Sequence, residues 1–182
     1  RIAYASGSLS GLLAVARSAQ AVAVLEQASI ANPGNKLLLA GYGRALADNG
    51  NFQRAYDVLS TAHNPDSPDW RILSVQGTTL DQMGRHDEAR RYYQSALKIV
   101  PDEPSVLSNL GMSYVLTKEL PKAEDTLRRA YASGRADSRV RQNLALVIGL
   151  TGAVLVFQAD WLRLTVPQAR TPAVSTPQAL GA

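Results

Sequence analysis

A 34-residue period runs through most of this chain, and no other feature constrains its fold as much. Gly43, Gly77 and Gly111 stand 34 residues apart. Ala21, Ala55, Ala89 and Ala123 form a second column at the same spacing, and Ala28, Ala62, Ala96 and Ala130 a third. Leu25, Leu59, Tyr93 and Leu127 make a fourth; Leu12, Leu46, Leu80, Tyr114 and Ile148 make a fifth. Five columns in one phase imply a stack of like units, each burying its apolar face on its neighbours.

Each column has a physical reading. Glycine at the Gly77 position, and alanine at the Ala89 and Ala96 positions, let two helices approach closely. The large residues of the Leu80 and Tyr93 columns are expected to fill the space between successive hairpins. Gly50 and Gly84 fall where a first helix ends, a place for a left-handed residue. Pro33 and Pro101 stop second helices, and Asp69 and Asp102 are expected to help start the next first helix. The spacing matches the helix–turn–helix of the tetratricopeptide repeat (TPR), with its characteristic glycine, alanine, tyrosine and proline places. The fold class expected is therefore all-α, a TPR superhelix (α-solenoid) of antiparallel helix pairs. Its units are a degenerate first repeat at 1–35 and full repeats at 36–69, 70–103 and 104–137. At 138–165 comes the first helix of a last repeat plus a divergent capping segment. The Pro-, Ala- and Thr-rich stretch 166–182 reads as a disordered tail.

Composition closes off other classes. The 182 residues carry a net charge of +4 and 6% aromatics, with the basic residues scattered. Even the densest stretch, Arg85 to Arg91, mixes signs, so a solvated helix face is expected and nucleic-acid binding is not. There are no cysteines, hence no disulfide, no Cys-ligated zinc and no thiol catalysis. His63 and His86 sit near hairpin ends, where a surface role is expected and a metal site is not. The Asp87-Glu88 pair opens a second helix and suits its dipole. No phosphate-binding loop or nucleophile elbow occurs. The reading is a non-catalytic protein: no catalytic residue, no cofactor, no metal. The longest uncharged apolar stretch, Leu144 to Phe157, is shorter than a membrane span and has the length of a buried helix. The chain begins at Arg1 rather than Met, as a trimmed chain would, and its first twenty residues make a poor signal peptide.

A set of residues beyond the repeat columns is similar to one particular family. It comprises Asp69-Trp70-Arg71-Ile72-Leu73-Ser74, Gln76-Gly77, Leu80 through His86, Tyr92-Tyr93, Pro104 through Gly111, and Val140 through Leu146. Over about Ala21 to Leu150 the chain resembles the TadD family of TPR proteins, from the tight-adherence (Flp) pilus assembly system of bacteria. That resemblance implies a periplasmic or outer-membrane protein on the periplasmic face, often a lipoprotein, serving secretion by assisting assembly of the pilus secretin. With no cysteine here to carry a lipid, membrane attachment would run through an anchor absent from this chain. The sequence after Gly152 departs from the family's usual second helix. The repeats alone also fit a general peptide-binding adaptor or regulator in the cytoplasm.

In a TPR stack the first helices line the concave face, where solenoids bind partners. The positions expected there are Arg44, Arg71, Ser74, Thr78, Asn109, Met112, Arg139 and Asn143, with Asp81 and Ser108 among their neighbours. The partner expected is a protein or peptide, secretin or pilus components included. Asn109 and Asn143 would bond its backbone, and Arg44, Arg71 and Arg139 would meet its acidic groups. A C-terminal carboxylate grip of the kind some TPR proteins use fits only in part. Asn109 and Arg139 suit it; Ser74 and Thr78 stand where Lys and Asn would be needed.

Overall fold

The computed structural model describes residues 8–165. The expected disordered tail at 166–182 lies outside the described residues. Among those described, every regular element is a helix, in the order α1 (Ser8–Ala31), α2 (Lys36–Asp48), α3 (Phe52–Ala62), α4 (Trp70–Gln82), α5 (His86–Ile99), α6 (Pro104–Leu116), α7 (Leu120–Ala132) and α8 (Ser138–Thr165). This is an all-α TPR solenoid. Three antiparallel hairpins, α2–α3, α4–α5 and α6–α7, make its middle.

The glycine column explains how closely each hairpin packs. A Cβ placed on Gly43, Gly77 or Gly111 would lie 2.5, 2.5 or 2.7 Å from a side-chain carbon of Leu59, Tyr93 or Leu127. The Tyr93 column therefore fills the inside of its own hairpin first, a refinement of the expectation that it packs between hairpins. Tyr93 also reaches the next hairpin, sharing a cluster with Leu73, Leu80, Val106 and Leu110. The alanines beside it, Ala55, Ala62, Ala89, Ala96, Ala123 and Ala130, are fully buried.

Turn chemistry sets the hairpin ends. Gly50 (φ +81°) and Gly84 (φ +75°) take the left-handed conformation expected of them. Asn51 N–H then donates to the Leu46 carbonyl and Arg85 N–H to that of Leu80, closing each first helix with a Schellman-type bond. The third hairpin does the same with Lys118 (φ 63°), a residue with no glycine freedom. At the helix starts, Asn35 accepts from the N–H of Leu37 and Leu38, and Asp69 from that of Arg71. Glu103 rather than Asp102 caps α6; Asp102 instead receives Arg129 at 2.7 Å.

Both ends depart from the repeat. Residues 8–31 form one continuous helix of 24 residues where the period suggests two helices. The reason is local: Ala16 stands in the column of Gly50 and Gly84, so nothing there favours the left-handed stop. At the other end Gly152 does fall in that column, yet α8 runs through it for 28 residues. Ala153 and an apolar run follow it, where the full repeats have Asn51, Arg85 or Glu119 to begin a second helix. The stretch Leu144 to Phe157, expected to be buried, is mostly not. Leu144 and Val147 are buried, but Leu146, Ile148, Leu150 and Val154 to Val156 are exposed. Within α8, Ser138–Val156 is long and apolar enough to cross a membrane by length and composition, with 11% of it buried in the fold.

Candidate functional site

The concave face holds a depression of about 430 Å³. It is built from successive first helices: Arg44, Ala47 and Asp48 from α2; Trp70, Arg71, Ser74, Val75 and Thr78 from α4; Ser105 and Asn109 from α6; Arg139 from α8. Six of the eight residues expected on this face meet here: Arg44, Arg71, Ser74, Thr78, Asn109 and Arg139. Met112 and Asn143 do not line it. The helical stack explains the convergence, because one face of every first helix looks to the same side.

Three guanidinium groups share this depression with one carboxylate, Asp48. Arg71 lies 3.9 Å from Asp69 and stacks over the Trp70 ring at 4.7 Å. No carboxylate among the described residues comes within ion-pair distance of Arg44 or Arg139, and both are exposed. The site is therefore an open, cationic trough floored by hydroxyls and an indole. Trp70 was not among the residues expected on this face. It is the first residue of α4, and its neighbour Arg71 was the available signal, since a cation beside an aromatic ring at a helix start can stack on it.

Several side chains expected on this face are tied into the stack. Ser74 and Ser108 are buried. Asn109 Nδ2 donates to Ser74 Oγ at 3.2 Å, and Asn143 Nδ2 to Ser108 Oγ at 2.9 Å. These two rungs, one repeat apart, tie α4 to α6 and α6 to α8. The asparagines expected to hold a partner's backbone thus spend an amide N–H on the neighbouring repeat, and of the two only Asn109 lines the depression.

Asp81 is also inside rather than on the concave surface. Its Oδ1 accepts from Ser113 Oγ (2.8 Å) and pairs with His86 Nδ1 (2.8 Å), while its Oδ2 accepts from Tyr93 Oη (2.9 Å). One carboxylate so joins α4, α5 and α6. Burial, and then the Asp81 charge, hold the Tyr93 phenol well above its ordinary pKa of 10.0. Ser113 faces the carboxylate and not the imidazole, so the group lacks the serine–histidine relay of a nucleophile. His86 is thereby a buried-network partner instead of a plain surface residue. His63 likewise has its Nδ1 buried, without a hydrogen-bond partner among the described residues. No group of three His, Cys, Asp or Glu among the described residues could hold a metal ion.

Comparison with known proteins agrees with the geometry. Two profiles, both described as tetratricopeptide repeat, match residues 12–76 and 72–136. The chain belongs to the tetratricopeptide-repeat superfamily. Bos taurus "BBSome complex member BBS4" is 25% identical over 128 residues, 70% of this chain. This chain spans 25% of that relative's length. The structure is similar to the "APC/C hetero-tetramer Cut9-Hcn1", with a TM-score of 0.64 and 17% identity, over 83% of this chain and 31% of that one. It is similar too to the "first TPR of Spaghetti (RPAP3) bound to HSP90 peptide SRMEEVD", with a TM-score of 0.57 and 13% identity, over 64% of this chain and 93% of that one. At these identities the structural likeness speaks for the tetratricopeptide fold alone.

Proposed function

We propose that this chain is a non-catalytic scaffold whose concave trough takes an acidic protein segment. The observation that carries this reading is the meeting of Arg44, Arg71 and Arg139 from three repeats over one depression, two of them without a carboxylate partner among the described residues. An extended segment laid along the trough would cross the four first helices α2, α4, α6 and α8 in turn. Its acidic groups would pair with the guanidinium groups, and its backbone would meet the Asn109 carbonyl.

The setting proposed is assembly of a Flp tight-adherence pilus, with the outer-membrane secretin or another pilus component as partner, in the periplasm. Its support is the TadD-like residue set from Asp69 to Leu146. The test is binding of purified secretin subunit and pilus components to the full chain by calorimetry. Specific binding, weakened at least about ten-fold by Arg44→Ala with Arg139→Ala and by raised salt, is expected. Absence of binding to every pilus component would refute the setting. Binding unmoved by the arginine changes would refute the trough.

A second reading, a general adaptor in the cytoplasm, draws on the likeness to a repeat domain bound to the peptide SRMEEVD. Tight capture of free acidic peptides, with none of the pilus components, would favour it.

A further inference from the structure

Three times in this chain a first helix and a second helix close on each other along the same columns. On the first helix these are Gly43 and Leu46, Gly77 and Leu80, or Gly111 and Tyr114; on the second, Leu59, Tyr93 or Leu127 with its flanking alanines. α8 is a fourth first helix. It packs on α7 and α6 through Val140, Leu144 and Val147, as α4 and α6 pack on the hairpins before them. Yet Ala145 and Ile148, which occupy its Gly77 and Leu80 columns, are exposed, Ile148 at 42%. α1 is a fourth second helix. It packs on α2, with Leu25 Cδ2 3.9 Å from the position of a Gly41 Cβ and Glu26 paired to Arg54. Its own hairpin face is uncovered: Ala21 is exposed, and Leu25 and Ala28 are half-buried, where the same columns are at 0% in α3, α5 and α7.

The chain thus presents both halves of its recurring hairpin contact, one at each end and each without its counterpart among the described residues. We propose that copies of this chain associate head to tail, α1 of one copy seating on α8 of the next as its missing second helix. The register follows from the internal hairpins: Leu25 of one copy lands on Ala145 of the other, and Ala21 on Ile148. The lengths agree as well. α8 has 28 residues and α1 has 24, against 11 to 14 in the helices between. In an antiparallel pair the C-terminus of a first helix lies beside the N-terminus of the second. The extra turns of both helices are at those termini, so they run alongside each other and lengthen the contact. Ala145 carries a methyl group where the internal hairpins have glycine, so α1 sits slightly farther out than an internal helix. The contact is heterologous and adds copies in one direction.

Sedimentation velocity of the full chain across low to high micromolar concentrations tests this. Expected is a mass that grows with concentration beyond a dimer. Ala21→Glu and Ile148→Glu, both at exposed positions, should keep the helical circular dichroism. Each should weaken association at least about ten-fold. Mixed in equal amounts they should form a one-to-one pair, because one variant keeps a free α8 and the other a free α1. A wild-type chain that stays monomeric overturns the proposal, and so does a monomer that floats with lipid vesicles. Loss of association in Ile148→Glu but not in Ala21→Glu overturns it too, since α8 would then pair with α8.

Discussion

The middle of the molecule and its ends are written in the same columns and differ in what covers them. Leu59, Tyr93 and Leu127 are fully buried, while Leu25, the same column in α1, is only half-buried. Leu46 and Leu80 have no exposed surface, while Ile148 has 42%. Composition does not separate these residues; the presence of a partner helix does. A repeat column records what a position packs against when its neighbour is present, and a solenoid's ends show the same residues without that neighbour. Stability should therefore be concentrated in the three hairpins and fall off toward α1 and α8.

The largest expected effect tests that gradient directly. Leu127→Ala empties a fully buried site and should cost about 3 kcal/mol, whereas Leu25→Ala should cost about 1 kcal/mol. Urea unfolding of both variants measures the difference, and equal losses would mean that α1 is as well packed as the interior.

Next in size is the Asp81 network, which exists only in the middle. Asp81→Ala leaves Tyr93, Ser113 and His86 without their shared acceptor and should cost about 2 kcal/mol. The network also has a pH signature. The Tyr93 phenol holds its proton more tightly folded than unfolded, so its contribution is complete below pH 10 and is lost as pH rises above that. Thermal melts should show stability falling above pH 10 with a limiting slope of about 1.4 kcal/mol per pH unit from this group. Tyr93→Phe should flatten the curve; an unchanged slope would place its cause elsewhere, such as Tyr92, whose pKa is pushed up to about 12 by burial and its bond to Tyr56.

These contrasts also show why some of the molecule was legible in the sequence. The hairpins were, because Gly43, Gly77 and Gly111 and the alanine columns encode close approach locally, and Gly50 and Gly84 encode the turns. The ends were not. The period extended to Leu12 and Gly152, but in the full repeats each first helix ends beside a left-handed residue, Gly50, Gly84 or Lys118, whereas at 16 and 152 the chain stays helical. In the trough, spacing placed Arg44, Arg71 and Arg139 on one side. It could not show that Ser74, Ser108 and Asp81 turn inward, because a short polar residue on a first helix reads alike whether it meets solvent or the next repeat. The partners that decide this, Asn109, Asn143 and Ser113, lie about one period away.

A smaller effect examines those rungs. Asn143→Ala removes the bond to Ser108 that holds α8 to α6 and should cost about 1 kcal/mol, seen as earlier loss of hydrogen-exchange protection in α8 than in α4. Unchanged protection would mean that apolar contact through Val140 and Val147 suffices to hold α8.

The smallest effect lies in the turns. The first two hairpins close through Gly50 and Gly84, but the third closes through Lys118 at φ 63°. A side chain in the left-handed region meets its own backbone, and glycine does not. Lys118 is exposed and forms no ion pair among the described residues, so little offsets the strain. Lys118→Gly should then stabilise the chain by roughly 0.5–1 kcal/mol, less the entropy glycine gains when unfolded. Gly84→Ala, the reverse change one repeat earlier, should destabilise by about 1 kcal/mol, because the space around Gly84 is open and only the backbone angle is at issue. Opposite signs at matching positions would show that the hairpin turn is set by its left-handed residue. A common sign would assign the turn to the packing of Tyr114 and its neighbours instead.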